Sequence, residues 1–526
     1  MVIAAVFAVA IAVAAAAIAV FAAAIVVVAV VTAVAAVVIA AAAVFAAVAI
    51  GAAAVAVVVV AVVIAVVVAR ITSSIGSALS FKKDLFSLGI FWPIVDLKPP
   101  YWQRDYQYSN LIEIQYCMQQ IISLLNHFQS KCYATIMVKL TLRDVPLHNQ
   151  RILMRVDFNV PIHQGTITDD SRIRAALPSI RYVLDHGGAL VLMSHLGRPK
   201  KKDLSLSLAP CAQRLEELLK TPVIFAPDCR GPAIEEMTKK LRPGQTLVLE
   251  NLRFYKAEED PQTNPSFAED IAKLADYYVN DAFGTAHRAH TSTATITRFF
   301  PNRAAMGFLM EKEIQALSPL LTHPKHPFMA LIGGAKVSSK IGMLKRFSTL
   351  VDTLFIGGAM AFTFLKAKGM SIGDSPCENV NLIQHLNPSK LQLPVDLVIA
   401  DAFDNNAHTR IVSIQEGIPA GWRGMDIGPQ TITSWASQCK TAATVFWNGP
   451  LGVFEMPRFA KGTRAIAEAL SHGKGQTIIG GGDSVAAIEQ MGLGNHFSHL
   501  STGGGAALEF LEYGHLPGID ALSDKQ

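Results

Sequence analysis

Between residues 137 and 526, short apolar, β-rich runs repeatedly stop at glycine, polar or charged residues and give way to helix-like segments. Arg151–Val156 runs into Asp157, Phe158 and Asn159, and Ala189–Met193 into Ser194, His195, Leu196, Gly197 and Arg198. Leu247–Leu249 meets Glu250, Asn251, Leu252 and Arg253; Tyr277–Val279 meets Asn280, Asp281, Ala282, Phe283 and Gly284. The second half repeats the pattern. Met329–Ile332 leads into Gly333, Gly334, Ala335 and Lys336, Thr353–Ile356 into Gly357 and Gly358, and Leu397–Ile399 into Ala400 and Asp401. Thr444–Trp447 leads into Asn448, Gly449 and Pro450, and Thr477–Ile479 into Gly480, Gly481, Gly482 and Asp483. Strands alternating with helices predict parallel sheets covered on both faces. Open sheets of this kind bind ligands beyond the carboxyl ends of their strands. Two α/β domains are expected, each with its own ligand rim.

The rims differ in chemistry. The first collects Arg172, His195, Arg198, Arg253, His287 and Arg288. Several guanidinium groups on one rim suit a small, multiply anionic ligand, because arginine binds carboxylate and phosphate bidentately. The second collects glycines with Lys336, Lys340 and Asp483. Glycines let backbone N–H groups approach phosphates, a helix N-terminus adds its dipole, and an aspartate suits Mg²⁺ bridging phosphate oxygens. No GxxxxGK[ST] is present, so this is not a P-loop. Taken singly, a strand-end glycine is more often a turn and an arginine a surface ion pair. His287 and His290 fit plain loop histidines as well as ligands. The recurrence at strand ends carries the reading: one rim for a small anion and one for a nucleotide describe a phosphotransferase.

Residues 1–69 are a different kind of sequence, almost entirely Ala, Val, Ile and Phe, with no charge before Arg70. As one helix the run would be about 100 Å long, more than three hydrocarbon cores. It lacks the polar loops and flanking charges of a multi-span protein and the charged start of a signal peptide. Translated repetitive DNA and a membrane anchor remain as readings. Residues 1–136 hold six Lys/Arg and four Asp/Glu; 40 of the 46 basic and 37 of the 41 acidic residues therefore follow, a net charge of +3. That balance excludes a nucleic-acid binder of the basic kind, and Lys200–Lys202 reads as a solvated loop. Cys117, Cys132, Cys211, Cys229, Cys377 and Cys439 form no CxxC pair and fit free thiols in a reducing compartment.

The motifs RVDFNVP (155–161), SHLGRP (194–199), LENLRF (249–254), NDAFGTAHRAH (280–290), GGAKVSSK (333–340), WNGPLGVFE (447–455), GGGDS (480–484) and STGGGA (501–506) together resemble the phosphoglycerate kinases. They follow that family's order over essentially all of 137–526. Ser339 departs from a commonly acidic position, 402–412 matches weakly, and the first 136 residues have no counterpart. The resemblance implies two Rossmann-like parallel-sheet α/β domains joined by a hinge helix and preceded by the apolar low-complexity extension. It implies reversible transfer of the acyl phosphate of 1,3-bisphosphoglycerate to MgADP, giving 3-phosphoglycerate and ATP, with Mg²⁺ as cofactor. Asp157, Asn159, Arg172, His195, Arg198, Arg253 and Arg288 are then expected to hold the glycerate ligand. Lys336 and Lys340 would contact nucleotide phosphates and the group in flight. Asn448 and Glu455 would meet the nucleotide, Glu455 at its ribose. Backbone amides near Gly481, Gly482 and Ser484 would hold phosphates, and Asp483 the metal. Arg172 and Lys336, with Gly503, Gly504 and Gly505 at the transfer point, are the expected catalytic group.

The expected divisions are an extension at 1–69, a linker at 70–136, a glycerate-binding domain at 137–308, a hinge helix at 309–321, a nucleotide-binding domain at 322–500, and a segment at 501–526 returning to the first domain. Met137 is the expected working start, residues 137–526 should suffice for activity, and 1–69 would be helical with few contacts to the kinase. A monomeric cytoplasmic enzyme follows, at the membrane only if the extension is real. Two other classes compete: a membrane-anchored interaction protein that keeps the fold, and a related enzyme for another small anion. Intact motifs on both rims favour the kinase.

Overall fold

The computed structural model describes residues 139–525, so the expectations for residues 1–136 and for a start at Met137 lie outside the described residues. After β1 (Arg151–Arg155) comes a small hairpin of β2 (Ile162–His163) and β3 (Thr166–Ile167). Then follow β4 (Ala189–Met193), β5 (Val223–Phe225), β6 (Thr246–Val248), β7 (Tyr277–Asn280) and β8 (Ala304–Met306). Apart from the hairpin they form one six-stranded sheet, ordered β5-β6-β4-β1-β7-β8, with every neighbouring pair parallel.

The second half contributes β9 (Phe328–Ile332), β10 (Thr353–Ile356), β11 (Leu391–Gln392), β12 (Asp396–Ala400), β13 (Thr409–Ser413), β14 (Arg423–Ile427), β15 (Thr444–Asn448), β16 (Gln476–Gly480) and β17 (His499–Leu500). A second parallel sheet runs β11-β10-β9-β15-β16-β17. β4 and β9 are buried at every position, which is why they read as unbroken apolar runs and not as alternating ones.

The run at Leu397–Ile399 departs from the expected pattern. It lies in β12, the centre of a separate antiparallel sheet ordered β13-β12-β14. Residues 401–408 join β12 to β13, fewer than the dozen or so that a parallel return requires. Ala400 and Asp401 therefore end in a hairpin and not on the ligand rim. The sequence pattern also missed β5, β8, β11 and β17, which are two or three residues long, too short for any periodicity to register.

The helix Phe308–Thr322 lies between the two parallel sheets in the chain. Met310, Ile314, Leu317, Leu320 and Leu321 are buried along one face at the spacing of an amphipathic helix. They join an apolar cluster that includes Leu153 of β1, Val191 of β4, Phe328 and Ile332 of β9, and Phe510. The helix starts at Gly307, where a Cβ would stand 2.2 Å from Asp281 Oδ1. That same oxygen accepts from Leu309 N at 2.8 Å and Met310 N at 3.3 Å, satisfying two of the helix's free amides. Burial pushes the Asp281 carboxyl up to about 7.

Beyond the helix Gly504–Tyr513 the chain lies against the first sheet. Gly518 N donates to Ala286 O at 2.8 Å, Ser523 N to Ala304 O at 2.9 Å, and Lys139 Nζ pairs with Asp524 at 2.8 Å. Cys211, Cys229, Cys377 and Cys439 are free thiols.

Candidate active site

The carboxyl ends of β1, β4, β6 and β7 surround a cavity of ≈ 390 Å³. Asp157 and Asn159 reach it from the end of β1, His195 and Arg198 from β4, Arg253 from β6, and Arg288 from the loop after β7. Arg172 enters from the first turn of the helix Ser171–Asp185. All seven residues expected to hold the glycerate ligand therefore line one cavity. Arg172 Nη1 donates to Asp157 Oδ2 at 2.7 Å, yet its side chain stays 40% exposed and open to a ligand. Gly197 is held from both sides: its N–H donates to Asn159 Oδ1 at 2.8 Å and its carbonyl accepts from Arg253 Nη1 at 2.7 Å.

The cavity is electropositive. Burial, and then Arg155, Arg253 and Arg172, hold His195 well below the ordinary histidine range. Burial followed by Arg253 and Arg288 takes His290 to about 4. Four arginines face the cavity against the single carboxylate of Asp157, and an anion with more than one charge balances that set. His287 also lines the wall, and its Nε2 accepts from Arg288 Nε at 3.2 Å, which leaves its proton on Nδ1. His290 is not among the lining residues.

Sequence reasoning missed Arg155, Glu258 and Ser292. Arg155 is 1% exposed and Glu258 wholly buried. Arg155 Nη2 lies 3.0 Å from His195 Nδ1, and its Nε donates to Ser292 Oγ at 2.8 Å. The one available signal was an arginine directly after the apolar Ile152, Leu153 and Met154 of β1, since it cannot be buried there without partners.

The second rim lies at the ends of β9, β15 and β16. Lys336 is exposed on the loop after β9, and Lys340 Nζ turns inward to donate to Gly333 O at 2.6 Å and Asn448 O at 3.3 Å. Burial lowers the Lys340 ammonium to about 8, with Asp483 pulling the other way. Gly449 has φ +93°, and a Cβ there would stand 2.3 Å from Gly333 O and 2.7 Å from Lys340 Nζ, so only glycine lets these loops meet. Ser484 Oγ is occupied by Gly449 N at 2.5 Å, while the buried Asn448 Nδ2 has no partner among the described residues. Asp483 stands exposed in the first turn of the helix Gly482–Gln490, and Glu455 is exposed on the loop after β15. Among the described residues no cluster of three or more His, Cys, Asp or Glu is disposed around a metal. A lone carboxylate beside a phosphate site fits Mg²⁺, which keeps waters and takes most of its other ligands from phosphates.

Gly503, Gly504 and Gly505 line the first cavity but touch both rims. A Cβ at Gly503 would stand 3.1 Å from Gly284 Cα, on the first rim; one at Gly504 would stand 3.1 Å from Gly481 Cα and 3.4 Å from Gly482 N, on the second. The helix at 308–322 holds this loop in place. Its buried Glu313 accepts from Thr502 N at 2.7 Å and Thr502 Oγ1 at 2.8 Å through Oε1, and lies 2.8 Å from His499 Nε2 through Oε2.

Residues 142–514 match the family model described as phosphoglycerate kinase. The chain is 52% identical over 398 residues to a phosphoglycerate kinase of Moorella thermoacetica, covering 74% of this chain and all of the relative. It is 52% identical over 399 residues to one from Roseiflexus sp., with the same coverage. Among solved structures, the phosphoglycerate kinase of Coxiella burnetii aligns with a TM-score of 0.64 at 39% identity, covering 73% of this chain and 98% of that one. The enzyme of Pyrococcus horikoshii aligns with a TM-score of 0.64 at 32% identity and the same coverage.

Proposed function

The chain belongs to the phosphoglycerate kinase family, and from that premise we propose how its two rims divide the reaction. The enzyme transfers the acyl phosphate of 1,3-bisphosphoglycerate to ADP, giving 3-phosphoglycerate and ATP, and runs in both directions. The arginine-rich cavity takes the glycerate ligand through Asp157, Asn159, Arg172, His195, Arg198, Arg253 and Arg288. The glycine-rich rim takes the nucleotide through Lys336, Lys340, Asn448, Glu455 and the amides of Gly481, Gly482 and Ser484. Asp483 would hold Mg²⁺, which neutralises nucleotide phosphate charge when bound. The position of Gly503 and Gly504 between the rims carries this reading.

Phosphoryl transfer asks the protein for in-line positioning and for positive charge on the equatorial oxygens. Arg172 from one side and Lys336 from the other supply that charge, and the amides of the Gly503–Gly505 turn supply donors between them. No nucleophilic side chain is required.

We take residues 137–308 and 322–500 as the two lobes, 309–321 as the hinge, and 501–526 as the returning segment. Glu313 supports this division, because it ties the helix directly to Thr502 beside the transfer point. Both ligands together are then expected to compact the protein more than either alone. Small-angle scattering with neither, one and both ligands checks this, and identical profiles would count against closure. A monomer in the cytoplasm is the simplest setting.

The division between rims is tested by calorimetry. Arg198→Ala should weaken 3-phosphoglycerate binding about 10- to 100-fold, the worth of a charge-assisted contact, and leave MgADP affinity unchanged. Asp483→Ala should do the reverse. Loss of both ligands in either variant would remove the assignment of separate rims.

A further inference from the structure

The wholly buried groups beside the first cavity form one connected chain that the reaction as described does not use. Glu258 accepts from Ser292 N at 3.1 Å through Oε2 and from Ser292 Oγ at 2.6 Å through Oε1. The same hydroxyl accepts from Arg155 Nε at 2.8 Å. Arg155 donates through Nη1 to Val156 O and faces His195 Nδ1 with Nη2 at 3.0 Å. Its guanidinium lies 4.0 Å from Glu258, the only carboxylate paired with it among the described residues. With 1% exposure and its donors so engaged, Arg155 is a support and not a ligand contact.

A guanidinium donates and never accepts. The direction of each bond that Arg155 makes is therefore fixed. Ser292 Oγ accepts from Arg155 and gives its own hydrogen to the Glu258 carboxylate, which when ionised can only accept. His195 Nδ1 must accept from Arg155, so the ring's proton sits on Nε2. His195 itself lines the ligand cavity. We infer that Glu258, Ser292 and Arg155 are positioning residues that hold His195 as a neutral ring with its proton on Nε2, turned into a hydrogen-bond donor for the anionic glycerate ligand. The inference rests on the reading that this cavity takes that ligand.

The chemistry makes sense of a buried salt-bridged pair that would otherwise be costly. A histidine near the ordinary pKa would switch charge and donor pattern across physiological pH. Here Arg155, Arg253, Arg172 and His290 face it, all disfavouring the imidazolium, and burial acts in the same direction. The carboxylate of Glu258 lets Arg155 stay charged out of water. Burial pushes Glu258 up, while Arg155 and Ser292 pull it back toward the ionised form that the hydrogen bonds require.

Long-range ¹⁵N couplings of histidine-labelled protein read the tautomer directly, with His195 assigned by its disappearance in His195→Gln. Wild type should show a single neutral Nε2–H form of His195 across the neutral pH range. Removing Arg155 alone would strand a buried carboxylate, so the informative variant is the double Arg155→Met/Glu258→Gln, which removes both charges together. It should show both tautomers, and KM for 3-phosphoglycerate should rise about tenfold while kcat changes little, the pattern of lost uniform binding. Ser292→Ala keeps both charges and should move tautomer and KM in the same direction by less. A folded double variant, or Ser292→Ala if the double does not fold, with unchanged tautomer and KM would overturn the inference. If His195 shows the Nε2–H form but the protein binds no 3-phosphoglycerate, the tautomer assignment stands and the reading of the cavity falls.

Discussion

Arg172→Ala is expected to lower kcat on the order of 10²-fold or more, the scale of losing one preorganised donor to developing charge. Arg172 is the one cavity arginine carried by an α-helix, and its guanidinium is anchored by Asp157 while remaining open to a ligand. Truncation removes that charge and leaves the Asp157 carboxylate facing the anion, so the loss exceeds that of a simple contact. Arg172→Lys should recover part of the rate at most, because an ammonium lacks the planar fork that can hold Asp157 and a phosphoryl oxygen together. Steady-state kinetics in both directions separate the outcomes. A change confined to KM for the glycerate ligand would mean uniform binding and would remove Arg172 from the catalytic group.

Lys340→Ala should cost on the order of 10²-fold or more in kcat/KM for MgADP, and the wild-type pH profile should show why. Burial lowers the folded ammonium from 10.5 to about 8. In the free enzyme the cation is lost as pH rises through that value, so kcat/KM should fall about tenfold per pH unit above it. Stability moves the other way. The folded state disfavours the charged form, a cost present below about 8 and relieved between there and 10.5, where the unfolded chain still holds its proton. Activity falling while this group's contribution to stability rises is a signature that general alkaline denaturation does not give. Lys340→Arg, charged throughout, should flatten the alkaline limb of whatever activity it retains; an unchanged limb would place the titrating group elsewhere.

What the sequence made legible was local. Asp157, His195 and Arg253 follow β-rich runs within a few residues, so strand and ligand group are read in one glance. The two parallel sheets were legible for the same reason, because strands buried on both faces announce themselves as apolar runs. The Leu397–Ile399 run looked alike but folds antiparallel, and only the short connection after it carries that information. Arg155, Ser292 and Glu258 were invisible as a unit. Arg155 meets Ser292 across 137 positions and Ser292 meets Glu258 across 34, and no local pattern pairs them. Asp281 stood inside a recognised motif, but its work is on the helix that begins at Phe308, as a cap supplied from another element.

The measurement that bears most directly on the account is the initial rate of ATP formation from 1,3-bisphosphoglycerate and MgADP by the purified protein, with the reverse reaction followed in parallel. The account predicts saturable, Mg²⁺-dependent turnover in both directions, each abolished or strongly reduced by a change on either rim alone. A folded protein that binds both ligands but transfers no phosphoryl group in either direction would contradict it.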